Sequence, residues 1–140
     1  MYLRFVLIVL LAMQACSKEN DIQEKSAAQL LTQQEWILSG YGYDHNTNGV
    51  IDVSEESIED CEKDNTCRFE TDGTGKQFDN TLTCGNGLAE QPFTWKLINN
   101  ESELDFSFGI ARILRLDEDK LIITDNSGGQ AIKFITVFRH

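Results

Sequence analysis

From residue 67 onward the chain alternates apolar and polar side chains in short runs broken by turn residues, a rhythm that suits antiparallel β-structure. Phe93, Trp95 and Leu97 alternate with Thr94 and Lys96, and Leu104, Phe106 and Phe108 alternate with Asp105 and Ser107. A period of two buries one set and leaves the other in solvent, which marks half-buried antiparallel strands rather than parallel ones. Such runs cover residues 67–71, 76–84, 93–98, 103–108, 111–116, 120–124 and 131–138. Asp72-Gly73, Asn99-Asn100, Asp117-Glu118-Asp119 and Ser127-Gly128-Gly129 punctuate them. The aromatic, glycine-broken segment 36–43 supplies an eighth strand. Eight sequential strands at hairpin spacing point to an all-β, eight-stranded up-and-down antiparallel barrel, whose closure leaves no free edge. A sandwich is the other arrangement the spacing allows. Residues 27–35, with Leu30 and Leu31, suit a short N-terminal helix, and 54–60, with Glu55, Glu56 and Glu59, suit a further helical turn.

Between the first two strands lies the stretch with the most defined chemistry. Residues 44–55 read D-H-N-T-N-G-V-I-D-V-S-E. Counted from Asp44, oxygen-bearing side chains fall at positions 1, 3, 5, 9 and 12 with glycine at 6, the spacing of an EF-hand calcium loop. Asp44, Asn46 and Asn48 would each give one oxygen, Val50 its backbone carbonyl, Asp52 a direct or water-mediated contact, and Glu55 both carboxylate oxygens. Gly49 allows the positive φ such a wrap needs. Asn48-Gly49 is equally a turn signal that needs no metal. The aromatic segment before the loop lacks an EF-hand's entering helix, and no second loop follows, so a paired EF-hand is not expected.

The N-terminus reads as an address. One Arg precedes a short apolar run at 5–13, too short to span a bilayer as a stable helix but suited to a signal-peptide core. It ends at Met13-Gln14-Ala15-Cys16, which resembles a bacterial lipobox. That likeness implies a signal peptide over 1–15, lipidation of Cys16, a polar tether over 16–28 and a domain over 29–140. Ser17 in place of Asp argues against inner-membrane retention, so an outer-membrane lipoprotein, periplasmic or surface-exposed, is expected. The net charge of −11 gives nucleic-acid binding no electrostatic basis.

Further residues carry a family resemblance. Leu30-Leu31-Thr32, Trp36-Ile37-Leu38, Cys61-Glu62-Lys63-Asp64-Asn65, Phe69-Glu70-Thr71-Asp72-Gly73-Thr74 and Cys84-Gly85 are similar to the bacterial lipocalin-like lipoprotein family. The likeness continues through Phe93-Thr94-Trp95 and Leu116-Asp117. It implies an eight-stranded lipocalin-like barrel with a cavity, and some members carry an Asp/Asn-rich insertion after the first strand. It also implies a Cys61–Cys84 disulfide. Cys67–Cys84 remains the competing pair, and on the first pairing Cys67, on the same strand face as Phe69, is a buried free thiol.

Catalysis needs convergent groups, and the sequence offers none. His45 lies in the polar loop and His140 ends the chain, neither beside a nucleophile. The expectation is therefore a non-enzymatic protein. Phe93, Trp95, Leu97, Phe106, Phe108 and Phe134 are the candidates to contact a small apolar ligand inside the barrel. The other reading is a surface interaction or structural module whose aromatics fill a solid core.

Overall fold

The computed structural model describes residues 24–85, 89–125 and 132–140. The proposed lipidation site Cys16 and the Ser127-Gly128-Gly129 turn lie outside them. Eight strands form one closed antiparallel barrel in sequence order: β1 (Trp36–Asp44), β2 (Thr66–Phe69), β3 (Thr74–Phe78), β4 (Glu90–Ile98), β5 (Glu103–Phe106), β6 (Gly109–Leu116), β7 (Lys120–Asp125) and β8 (Lys133–Arg139). β8 closes on β1 from Ile37↔Arg139 to Asp44↔Lys133. The hairpin turns follow their chemistry. Asn99 and Asn100 both take positive φ, 51° and 55°, a conformation Asn tolerates better than most residues.

Helix α1 (Ala27–Thr32) plugs one end. Ser26 and Gln29 cap it reciprocally, each side chain accepting the other's backbone N–H. The helix stops at Thr32, shorter than the apolar pattern suggests, because Trp36 must already stand in the sheet. The Trp36 indole N–H donates to the Leu31 carbonyl at 3.0 Å, and Leu31, Trp36 and Leu121 retain no exposed surface. His140 stacks its ring 3.7 Å from that of Trp36 and places a ring nitrogen 2.8 Å from the Glu35 carbonyl oxygen. Above this plug an aromatic cluster rises through the barrel: Trp95 and Phe93 meet Phe69 edge-on at 5.4 and 5.5 Å.

Two departures from simple strand alternation shape the other end. The first is a bulge in β1 between Leu38 and Gly40, which shifts the strand's phase. Below it Leu38 pairs with Phe138; above it Tyr41 pairs with Thr136 and Tyr43 with Phe134. Gly42 and Asp44 therefore turn to the opposite, outer face. The second is the length of β3. Residues 76–84 read as one strand, but β3 ends at Phe78. The Asp64 carboxylate takes the backbone N–H groups of Thr81 and Leu82 at 2.8 and 3.0 Å, donors that a continuing ladder would need. The helical turn anticipated over 54–60 is displaced to a single 3₁₀ turn at Asp60–Glu62.

Candidate functional site

The barrel is filled at the α1 end and hollow at the other. A cavity of about 300 Å³ opens among Leu38, Phe69, Phe93, Phe106, Ile123 and Phe138. A second space of about 360 Å³ adjoins it toward the β5–β6 turn, and the two share Phe106, Phe108, Ile123, Phe134 and Thr136. The first volume stands at the small end of the range for small-molecule sites. Of the six aromatic and apolar candidates, Phe93, Phe106, Phe108 and Phe134 line it. Trp95 and Leu97 lie in or against the packed core instead. The Trp95 indole N–H is held by the Thr74 carbonyl at 2.8 Å, so the ring serves packing. Phe108 is 73 % exposed and stacks flat on Phe106 at 4.8 Å, forming part of the rim.

Several polar groups reach the cavity that strand periodicity did not identify. The Tyr41 hydroxyl donates to Glu62 Oε2 at 2.5 Å. Tyr41 faces inward because of the bulge, and Glu62 arrives from the 3₁₀ turn. The carboxylate acceptor, helped by partial burial, pushes the phenol's pKa up from 10.0 to about 12, so the phenol keeps its proton at neutral pH. Asn65, Thr66, Gln77 and Thr136 complete the polar side. Cys67 also faces the cavity and is a free, buried thiol. Burial, and then the charge of Glu35, push its pKa up to about 12, which makes it a poor nucleophile. Neither histidine lines the cavity.

The disulfide joins Cys61 to Cys84 across a sequence separation of 23, with Cα atoms 5.3 Å apart. It ties the 3₁₀ turn that carries Glu62 to the segment after β3. Glu59 approaches the same two sulfurs, giving the described residues' one gathering of three acid or thiol side chains. Both sulfurs are committed to the disulfide, so this gathering offers no thiolate ligand.

The loop over 44–55 folds tightly on itself. Asp44 is 3 % exposed and accepts the N–H groups of Asn48 and Gly49 at 3.0 and 2.8 Å. Asn48 Oδ1 accepts from Val50 N–H at 2.8 Å. Glu55 reaches back across the loop to the N–H groups of His45, Asn46 and Asp52. Gly49 has φ 81° and Thr47, unusually for a β-branched residue, 59°. The ligand set fits a cation only in part. Asp44 and Glu55 retain lone pairs, but Asn46 and Asn48 both direct their amide nitrogens at Asp52 Oδ2, 2.8 and 3.3 Å away. Coordination by all of them requires those amides to turn their oxygens inward, an arrangement that a cation among them favours.

The returning chain crosses the outer face of β1. Ser57 N–H donates to the Tyr41 carbonyl at 2.8 Å, and Glu56 forms an isolated bridge with Gly42. A Cβ on Gly42 would overlap the Glu55 carbonyl oxygen, so the close approach requires glycine here. No family model matches this chain, and no curated protein matches it.

Proposed function

We propose that this chain is an exported, lipid-anchored, lipocalin-like protein of the bacterial envelope that binds a small hydrophobic ligand without chemical change. The carrying observation is the cavity of about 300 Å³ walled by Phe69, Phe93, Phe106 and Phe134 in the open half of a closed barrel. The Cys61–Cys84 disulfide supports an oxidising, exported location. The lipobox-like segment ending at Cys16 supports an outer-membrane anchor. Uptake of a neutral fluorescent naphthylamine tests the binding reading. Enhanced emission that an Ile123→Trp side chain abolishes, by filling the hole, supports it; no uptake by a folded protein ends it. Partitioning of a Cys16→Ser protein into the membrane fraction after salt washing would refute the anchor.

Calcium is proposed for the loop, held by Asp44, Asn46, Asn48, Asp52, Glu55 and the Val50 carbonyl. With two Asn ligands and no paired loop, the dissociation constant falls on the order of 10⁻⁴ to 10⁻³ M. Calcium at ten times that constant stabilises the fold by roughly 1.4 kcal/mol. Identical melting of the unmodified protein in chelator and in millimolar calcium would leave 44–55 a turn only. A second reading, a surface interaction module, is favoured by the exposure of Phe108 and of Val53, which is 93 % exposed at the loop.

A further inference from the structure

The polar side of the cavity is one-sided in its chemistry. Tyr41, Glu62, Asn65, Thr66, Gln77 and Thr136 bring polar groups to the main cavity, and among the described residues no Lys, Arg or His lines it or the adjoining space. The Tyr41 proton is already committed to Glu62 Oε2, which also accepts the Glu59 N–H at 2.9 Å. The Thr66 hydroxyl donates to Glu35 Oε1 at 2.9 Å and accepts from Asn80 at 3.3 Å. Asn65 is the informative member. Its backbone is paired, N–H to the Glu62 carbonyl and C=O from the Leu38 N–H, yet its side-chain oxygen Oδ1 is buried and accepts from nothing. A buried acceptor without a donor carries a desolvation cost. Because Oδ1 itself has almost no accessible surface, a ligand relieves that cost only when the Asn65 side chain turns toward the cavity. The side-chain amide and hydroxyl donors that remain among the described lining residues, on Asn65, Gln77 and Thr136, are uncharged. The mouth adds one further ionisable lining residue, Asp125, again an acid.

Resting on the ligand-binding reading above, we propose that the cavity selects apolar molecules ending in a hydrogen-bond donor, primary amines foremost, and rejects anionic amphiphiles such as free fatty acids. The apolar tail lies against Phe93, Phe106 and Phe134. The ammonium group donates to the Glu62 carboxylate in a charge-assisted contact, and a turn of the Asn65 side chain adds its Oδ1 as a second acceptor. A fatty-acid carboxylate in the same place would meet a like charge, with no cation among the described lining residues to balance it. An alcohol donates to the same carboxylate without the charge attraction and falls between.

The test uses three probes with one tail: decylamine, decanol and decanoate, each displacing the neutral naphthylamine from the purified full-length chain at neutral pH. The expected order is decylamine tightest, by about ten-fold over decanol, with decanoate at least about ten-fold weaker than decanol. Because the chain carries a net charge of −11, a cation is drawn to it everywhere. Glu62→Gln separates the local effect, since it alters the total by one charge. It is expected to bring the amine-to-alcohol affinity ratio close to one, and a melting curve confirms that the variant is folded. Equal displacement by all three probes, or decanoate binding tightest, overturns the inference while leaving a ligand-binding barrel. An amine preference unchanged in folded Glu62→Gln overturns it too. Failure of the neutral probe to enter the protein at all overturns the binding reading and this inference together.

Discussion

At the α1 end of the barrel Leu31, Trp36 and Leu121 have no exposed surface, whereas at the opposite rim Phe108 is 73 % exposed above a hole of about 300 Å³. Both ends are built from the same alternating strands. They differ in what crosses the barrel axis. At one end a capped helical turn and a terminal histidine close over an indole. At the other the chain leaves β1 and crosses back over the outer face of that strand at Glu56 and Ser57. It sends only side chains such as Glu62 and Asn65 to the cavity wall, and no helix among the described residues plugs the interior. Dispersion contacts and buried area concentrate at the plugged end. The hollow end forgoes that packing and gains a lined space with a carboxylate on its wall.

Truncating the plug should give the largest effect. Trp36→Ala removes a fully buried indole and its hydrogen bond to Leu31, and should cost about 3–5 kcal/mol in denaturant unfolding; a cost below about 1 kcal/mol would mean stability is not concentrated there. Cys61→Ala comes next. Opening the disulfide loop should cost roughly 3 kcal/mol on the chain-entropy estimate and loosen Glu62 from Tyr41, while Cys67→Ala leaves the reductant-sensitive part of the melt in place. Gly42→Ala tests the outer wrap. The new methyl group meets the Glu55 carbonyl and should cost about 1–3 kcal/mol, visible as faster amide exchange at Ser57.

A smaller effect is expected at high pH. Tyr41 has its pKa raised from 10.0 to about 12 by the bond to Glu62, so between those values the unfolded chain releases this proton before the folded one does. Stability therefore falls as pH rises from about 10 to about 12. Tyr41→Phe should remove that part of the decline and the highest-pH step in tyrosinate absorbance; persistence of the step would place the shifted phenol elsewhere. Smallest of all is Phe108→Ala. At an exposed rim position it should change stability by no more than about 0.5 kcal/mol, yet weaken uptake of the neutral probe. A large loss of stability there would contradict the division between packed and open ends.

Much of this architecture is local and so was legible in the residues. Alternation in Phe93-Thr94-Trp95 and in Leu104-Asp105-Phe106, with Asn-Asn and Asp-Gly turns, specified the strands and their hairpin order, because period and turn chemistry act over a few residues. The positive φ of Gly49 and the burial of Cys67 followed in the same way. The Cys61–Cys84 pairing came from resemblance rather than from spacing, and the structure has that bond.

What the sequence by itself determined is the eight strands in their order and their antiparallel hairpin pairing, which favour a barrel but also allow a sandwich; the structure closes the barrel. The tertiary structure alone decided which half is hollow and what lines it. A bulge between Leu38 and Gly40 turns Tyr41 inward and Gly42 outward, and no count of alternating residues locates such a phase change. Asp64 ends β3 by capturing N–H groups 17 and 18 residues away, and Glu62 meets Tyr41 across 21 residues. Those contacts depend on where a closed barrel brings distant segments together, and the free energy that fixes them is long-range, invisible to a window of local pattern.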